Sequence, residues 1–312
     1  MRAVLFPGQG SQYVGMGSDF YEKFDSVKKI FQTVDETLGF SLSNLILNGP
    51  ENQLKLTKNT QPAIMAVGVS IFNILNQEYN MDLKKSLFFA GHSLGEYTAL
   101  VCSGSLTLRD AAFLLHERGK SMQAAIPQDE GAMIAVLGMK IEEVEDLIFN
   151  FSKEGVCEIA NDNSNTQVVV SGTKKAVTSL NEKLKRMKKK GIILPVSAPF
   201  HCSLMSPAAT KMKDKINSIN FKKPIFDVVC NVTSKPENKP EDIKRLLVEQ
   251  ICSTVRWRES IINISKENVT DFIEIGPGKV LSGMVKRTVK NINCFSINSI
   301  DDMKKTIDES KK

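Results

Sequence analysis

The sequence predicts an α/β protein, with a mostly parallel sheet layered against helices and a smaller βαββαβ unit set into it. Three observations lead there. Apolar strand-like runs alternate with amphipathic helical segments over residues 1–123, the pattern of a parallel sheet with helices on its faces. Residues 131–196 then read strand, helix, strand, strand, helix, strand, the order of a ferredoxin-like unit. Strand-like runs of the first kind resume at 228–232, 272–275 and 294–297.

Taken in order, residues 3–6 form a short buried strand and 86–90 a second, which enters Gly91. Helices are expected over 24–38, 61–77 and 108–125. In the middle unit, 131–137 reads as a strand and 141–151 as a helix with an apolar face. Residues 156–160 and 167–170 are strands. Residues 176–189 form a helix with Val177, Leu180, Leu184 and Met187 on one face, closed by Gly191 as its C′ residue. Residues 192–196 are the last strand. With 312 residues, about two domains are expected at roughly 100–200 residues each. The expected division is a large domain of 1–124 and 198–312 and an inserted domain of 125–197, joined through 125–129 and 197–200.

A hydrophobic fraction of 42% with 24% charged residues excludes disorder and collagen-like repeats. The six cysteines lie far apart with no CxxC, against a disulfide scaffold or zinc knuckle and in favour of a reducing compartment. The four apolar residues before Pro7-Gly8 are too short a run for a signal peptide, and no stretch approaches the roughly 20 residues of a membrane span. A soluble, cytoplasmic, monomeric protein is expected. The net charge of +6 lies wholly in residues 198–312, where 20 basic side chains face 14 acidic ones. The lysine run at 183–190 is balanced within its own segment and reads as a solvated helix face. Basic residues are not interleaved with aromatics, so nucleic acid is a poor candidate partner.

The sharpest local signal is Gly91-His92-Ser93-Leu94-Gly95, between the apolar run 87–90 and the helical-looking 96–101. Strand, tight turn and helix are the setting of a nucleophile elbow, with Ser93 held at a helix N-terminus; an ordinary βα turn is the alternative. A serine nucleophile needs a base, and there are three histidines. His92 is beside the serine and points elsewhere on a tight turn. His116 lies opposite the apolar stripe Ala111, Leu114, Leu115, Arg118 and Met122, so it reads as a surface or inter-element residue. His201 remains, after a strand and Pro199. Arg118 lies within the apolar stripe. A buried guanidinium needs an anion, and a structural carboxylate and a substrate carboxylate are equally open. The loop Pro7-Gly8-Gln9-Gly10-Ser11-Gln12 lacks the third small residue of a dinucleotide fingerprint, and no GK[ST] occurs, so a role in presenting backbone N–H groups to an oxyanion is favoured over nucleotide binding.

Together PGQGSQ at 7–12, GHSLGEY at 91–97, RGKSMQ at 118–123, His201 and IGPGKVL at 275–281 resemble the malonyl-CoA:acyl-carrier-protein transacylases of type II fatty-acid synthesis and the related acyltransferase domains of polyketide synthases. The resemblance implies an α/β-hydrolase-like large domain with the ferredoxin-like insertion. It implies Ser93 as acyl carrier, His201 as base and then acid, and the main-chain carbonyl of Gln250 orienting His201. The amides of Gln9 and Leu94 would form the oxyanion hole, and Arg118 would pair with the free carboxylate of malonate. Asn161 and Asn163, placed after the second strand of the small unit, would line the cleft. Phe200 would favour malonyl over methylmalonyl. No metal or other cofactor is implied. The reaction expected is a ping-pong transfer from malonyl-CoA to the phosphopantetheine thiol of acyl carrier protein. Both partners are anionic, so Lys279, Lys286, Arg287 and Lys290 are expected in an electropositive docking surface. The alternatives are a stand-alone polyketide-type acyltransferase, a serine thioesterase or esterase, and a non-catalytic carrier-binding protein. The hydrolase class places its histidine near the C-terminus, whereas 111 residues follow His201 here.

Overall fold

In the strand Arg2–Phe6 (β1), Ala3 and Leu5 enter one apolar cluster while Val4 and Phe6 enter another. A strand buried on both faces belongs inside a parallel sheet. In the computed structural model, which describes residues 1–79, 81, 83, 86–127, 129–149, 154–196 and 198–310, β1 is central. It pairs in parallel with Ser86–Gly91 (β2) on one side and Asp271–Ile275 (β9) on the other. Asn293–Ile297 (β10) extends the sheet beyond β9, and Asp227–Val229 (β7) beyond β2, again in parallel. Pro236–Glu237 (β8) closes the edge antiparallel to β7, so the order is β10-β9-β1-β2-β7-β8.

The middle segment makes its own sheet. Gly131–Leu137 (β3), Cys157–Ser164 (β4), Gln167–Thr173 (β5) and Lys190–Ile193 (β6) pair antiparallel throughout in the order β4-β5-β3-β6. Alternation sorts its two faces. Ile134, Val136, Val168 and Val170 pack against helices Ile141–Phe149 and Lys174–Arg186, whereas Met133, Ala135 and Val169 face the large core.

Several expected boundaries change. Helix Lys174–Arg186 ends before Gly191, and the left-handed residue after it is Lys188 at φ 55°. Gly191 lies in β6, where a Cβ would press on Ile134, Asn181 and Leu184. Met187 caps the helix outside its stripe and is exposed. Strand β4 runs four residues past its expected end, because the polar 161–164 stretch pairs with β5 and with Val255. Asn161 and Asn163 therefore lie in a strand rather than after one. Strand β7 stops at Val229, where the chain turns at Cys230–Lys235. Helix Thr57–Gln77 begins one turn before expected, with Pro62 inside it. Pro62 has no N–H for the Lys58 carbonyl. His116 Nδ1 takes that carbonyl at 2.9 Å, which fixes the inter-element role read for this histidine. Asn150, Phe151, Gln128 and Ser197, which the expected helix and connections included, lie outside the described residues.

Candidate active site

The site is built where β2 meets helix Gly95–Cys102. A Cβ on Gly91 would run into the Gly95 backbone, and one on Gly95 into the Phe6 carbonyl, so only glycine permits this closeness of strand, turn and helix. Ser93 sits at the bend with φ 54°, a strained value for a residue with a side chain. Its amide donates to Asn231 Oδ1 at 2.7 Å, and Asn231 Nδ2 donates to the Gly91 carbonyl at 2.7 Å, so one side chain braces both sides of the bend.

Ser93 Oγ lies 2.8 Å from His201 Nε2, and His201 Nδ1 lies 2.8 Å from the Gln250 carbonyl oxygen. A carbonyl only accepts, so Nδ1 carries the proton and Nε2 accepts from the serine hydroxyl. Burial, and then the Arg118 charge, push the His201 pKa down to about 3. The imidazole is therefore neutral at ordinary pH, with its Nε2 lone pair towards the Ser93 hydroxyl.

Arg118 is 1% exposed. Its Nη1 donates to Gln61 Oε1 at 2.8 Å, and its Nη2 to Gln250 Oε1 at 2.9 Å and Ser93 Oγ at 3.1 Å. Its Nε has no partner. Among the described residues no carboxylate hydrogen-bonds it, although the charge of Glu96 reaches it. A buried cation held only by neutral acceptors, beside a serine hydroxyl, is a place for an incoming anion.

A cavity of about 410 Å³ opens onto these groups. Of the residues singled out in the sequence, Gln9, Ser93, Leu94, Arg118, Asn161, Phe200 and His201 line it, and Gln250 stands directly behind. Neither the Gln9 nor the Leu94 main-chain N–H donates a hydrogen bond within the described residues, while Gln9 Nε2 donates to Thr57 Oγ1 at 3.4 Å. Phe200 is buried against the large core. His92 also lines the cavity, with Nε2 2.8 Å from Asn163 Oδ1 and its ring tilted against Trp257. The basic residues named for docking are not in the lining. Lys279, Lys286, Arg287 and Lys290 are exposed at or near helix Val280–Thr288, and Lys279 pairs with Asp302 at 3.7 Å. Among the described residues, no three His, Cys, Asp or Glu side chains are grouped to hold a metal ion.

With this geometry established, the chain can be compared with known proteins. A family model described as the acyl transferase domain matches residues 4–310. The chain belongs to this family. The protein is similar to the malonyl CoA-acyl carrier protein transacylase of Bacillus subtilis strain 168, 40% identical over 99% of this chain and 97% of that one. The Escherichia coli K12 protein of the same name is 38% identical over 95% of each. The solved acyl-carrier-protein S-malonyltransferase of Bartonella henselae superposes with a TM-score of 0.96 at 41% identity, covering 100% of this chain and 99% of that one. A structure described as a type II PKS acyl-carrier protein in complex with its malonyl-transacylase matches at a TM-score of 0.95 and 37% identity, covering 99% of each chain.

Three residues around the acyltransferase site had not been singled out in the sequence. Glu96 is buried three residues beyond Ser93, in a helix apolar nearly all round, and a lone acid there is a signal of the kind that drew attention to Arg118. Asn231 and Gln61 carry no comparable mark, because only the turn after β7 and the packing of helix Thr57–Gln77 bring them in.

Proposed function

We propose that this acyltransferase moves the malonyl group of malonyl-CoA to the phosphopantetheine thiol of acyl carrier protein through an ester on Ser93. The observation that carries the reading is the Ser93–His201–Gln250 hydrogen-bond chain lying against a buried Arg118 that, among the described residues, no carboxylate hydrogen-bonds. Malonate brings that carboxylate. In the first half-reaction Ser93 Oγ attacks the thioester carbonyl while its proton passes to His201 Nε2. The tetrahedral oxyanion is held by the Gln9 and Leu94 amides. As the C–S bond breaks, His201 returns the proton to the CoA sulfur. In the second half the carrier thiol attacks the malonyl ester, His201 takes its proton, and Ser93 leaves as the hydroxyl. No redox change occurs.

The substrate reading is supported by the relatives named malonyl CoA-acyl carrier protein transacylase, and fatty-acid elongation is the proposed use. Phe200 leaves little room for a branch methyl and tilts the choice towards malonyl. The large unit, 1–124 with 198–312, is proposed as α/β-hydrolase-like. The inserted 125–197 is proposed as ferredoxin-like, a reading its antiparallel order β4-β5-β3-β6 supports. Among the described residues no helix is long and apolar enough to cross a membrane, and all six cysteines are free. A cytoplasmic site of action fits both. Intact-protein mass spectrometry after malonyl-CoA treatment tests the reading. One malonyl unit is expected on the parent protein and none on Ser93→Ala, and an unmodified parent would end the proposal.

A further inference from the structure

Behind the nucleophile lies a buried carboxylate that the transfer chemistry does not use. Glu96 is 1% exposed. Its Oε2 accepts from the Asn231 backbone N–H at 2.9 Å and from Gln250 Nε2 at 2.8 Å. Both partners reach onward into the site. Asn231 Oδ1 accepts the Ser93 amide and thereby holds the serine in its left-handed bend. Gln250 Nε2, turned towards Glu96, also meets the Ser93 carbonyl at 3.1 Å and Asn231 Oδ1 at 3.2 Å. That orientation leaves Gln250 Oε1 facing Arg118, while the Gln250 main-chain oxygen fixes His201 Nδ1.

We propose that Glu96 is a positioning residue whose hydrogen bonds to Asn231 and Gln250 hold Ser93, His201 and Arg118 in a single mutual arrangement. A side-chain amide has two faces, one donating and one accepting. Without Glu96, Gln250 Nε2 loses the shortest of its three acceptors and keeps the two longer ones, the Ser93 carbonyl and Asn231 Oδ1, so the hold on its oxygen facing Arg118 weakens. The flipped amide would set an NH2 against a guanidinium, and Arg118 would lose one of its two side-chain amide acceptors. Loss of the same acceptor leaves the buried Asn231 N–H unpaired and loosens the brace on Ser93, although the turn keeps its backbone hydrogen bonds to Lys235 and Arg256.

The position is also sensitive to protonation. Burial raises the Glu96 pKa to about 7, against the pull of the Asn231 N–H, Gln250, the Cys230 thiol and the Arg118 charge. The titratable and charged groups facing it are Cys230 from the turn after β7, Arg118 from helix Leu108–Gln123 and Tyr97 from its own helix. His201, joined to Glu96 through Gln250, stays neutral over the same range. Glu96 is thus a group of this site whose ionisation is brought towards neutrality, and its charged form is the stronger acceptor.

The inference rests on the acyl-transfer reading above, and the experiment separates the two. Rates of Ser93 acylation by malonyl-CoA and by acetyl-CoA are measured between pH 6 and 8 for the parent, Glu96→Gln and Glu96→Ala. For the parent, malonyl acylation is expected to rise about threefold or more across neutrality, and for Glu96→Gln to stay flat near the lower level. For Glu96→Ala, malonyl acylation is expected to fall about 30-fold or more, and acetyl acylation by a smaller factor, because only malonyl uses Arg118. Equal losses for the two acyl groups with the parental pH profile would reduce Glu96 to a packing residue and overturn the inference. So would parental rates in Glu96→Ala. If Glu96→Ala does not fold, the isosteric Glu96→Gln decides, and a parental pH profile in that variant overturns it. A parent that is not acylated at all removes the transfer reading and this inference with it.

Discussion

Arg118 commits a positive charge to the interior with two glutamine oxygens and a serine hydroxyl as its acceptors. A charge-assisted hydrogen bond contributes about 1.5–3 kcal/mol, so a malonate carboxylate that makes two of them gains roughly a hundredfold or more over an uncharged acyl group. Arg118→Ala should cut malonyl transfer by about that factor while acetyl transfer holds or rises. Steady-state kinetics with both thioesters check this, and equal losses would deny the arginine its selective role. The buried acid and base also set how stability varies with pH. Glu96 is raised from 4.5 to about 7, so the folded protein binds the extra proton between those values and stability falls as pH rises through them. His201 is lowered from 6.5 to about 3, so its contribution runs the other way, rising with pH from about 3 to 6.5. Glu96→Gln removes the first contribution alone. Its melting temperature relative to the parent should improve from pH 5 to pH 8, and a constant difference would contradict the raised pKa. Ser93, His201 and Arg118 were legible in the sequence because their residue types are scarce in such settings, with three histidines in the chain and one arginine in an apolar stripe. Asn231 was not, because an asparagine in a turn has many uses and the partner that gives it this one lies 138 positions away.

At the scale of elements, the elbow depends on the absence of two methyl groups. Gly95→Ala forces the first turn of helix Gly95–Cys102 off the Phe6 carbonyl, and overpacking of this kind costs about 1–3 kcal/mol or more. The urea midpoint should drop and Ser93 acylation should be lost, whereas an unchanged midpoint would show that the strand and helix can part cheaply. Element types were legible from apolar periodicity, and their ends were less so. The polar 161–164 stretch gave no sign of a strand, because its side chains are satisfied by partners outside its sheet, Arg258 for Asp162 and His92 for Asn163. Helix Thr57–Gln77 starts before its expected residue 61 with Pro62 inside it, and the carbonyl Pro62 leaves free is satisfied by a histidine from another helix.

For the whole molecule, the alternation of strands and helices was enough to foresee a mostly parallel sheet and a separate second sheet. The strand order β10-β9-β1-β2-β7-β8 was not foreseen, because local periodicity carries no record of which distant strands become neighbours. The excess positive charge belongs to this scale as well. Lys286 and Arg287 are exposed and sit in the last turn of helix Val280–Thr288, where the helix dipole also favours cations. If they help to dock an acidic carrier, Lys286→Glu with Arg287→Glu should raise the KM for the carrier about tenfold at low salt and leave Ser93 acylation by malonyl-CoA near parental rates. Unchanged carrier kinetics would dismiss the surface.

The segment that carries the antiparallel sheet β4-β5-β3-β6 is less separable than its place in the chain implies. Strand β4 exchanges two backbone hydrogen bonds with Val255, and Arg258 Nε lies 2.9 Å from both oxygens of the buried Asp162 carboxylate. A chimera that transplants only residues 125–197 from a relative would keep its sequence junctions and cut this lateral seam. The unit of exchange is the insertion together with residues 254–258, and a library built on that rule should give more folded recombinants than one cut at the two covalent junctions alone.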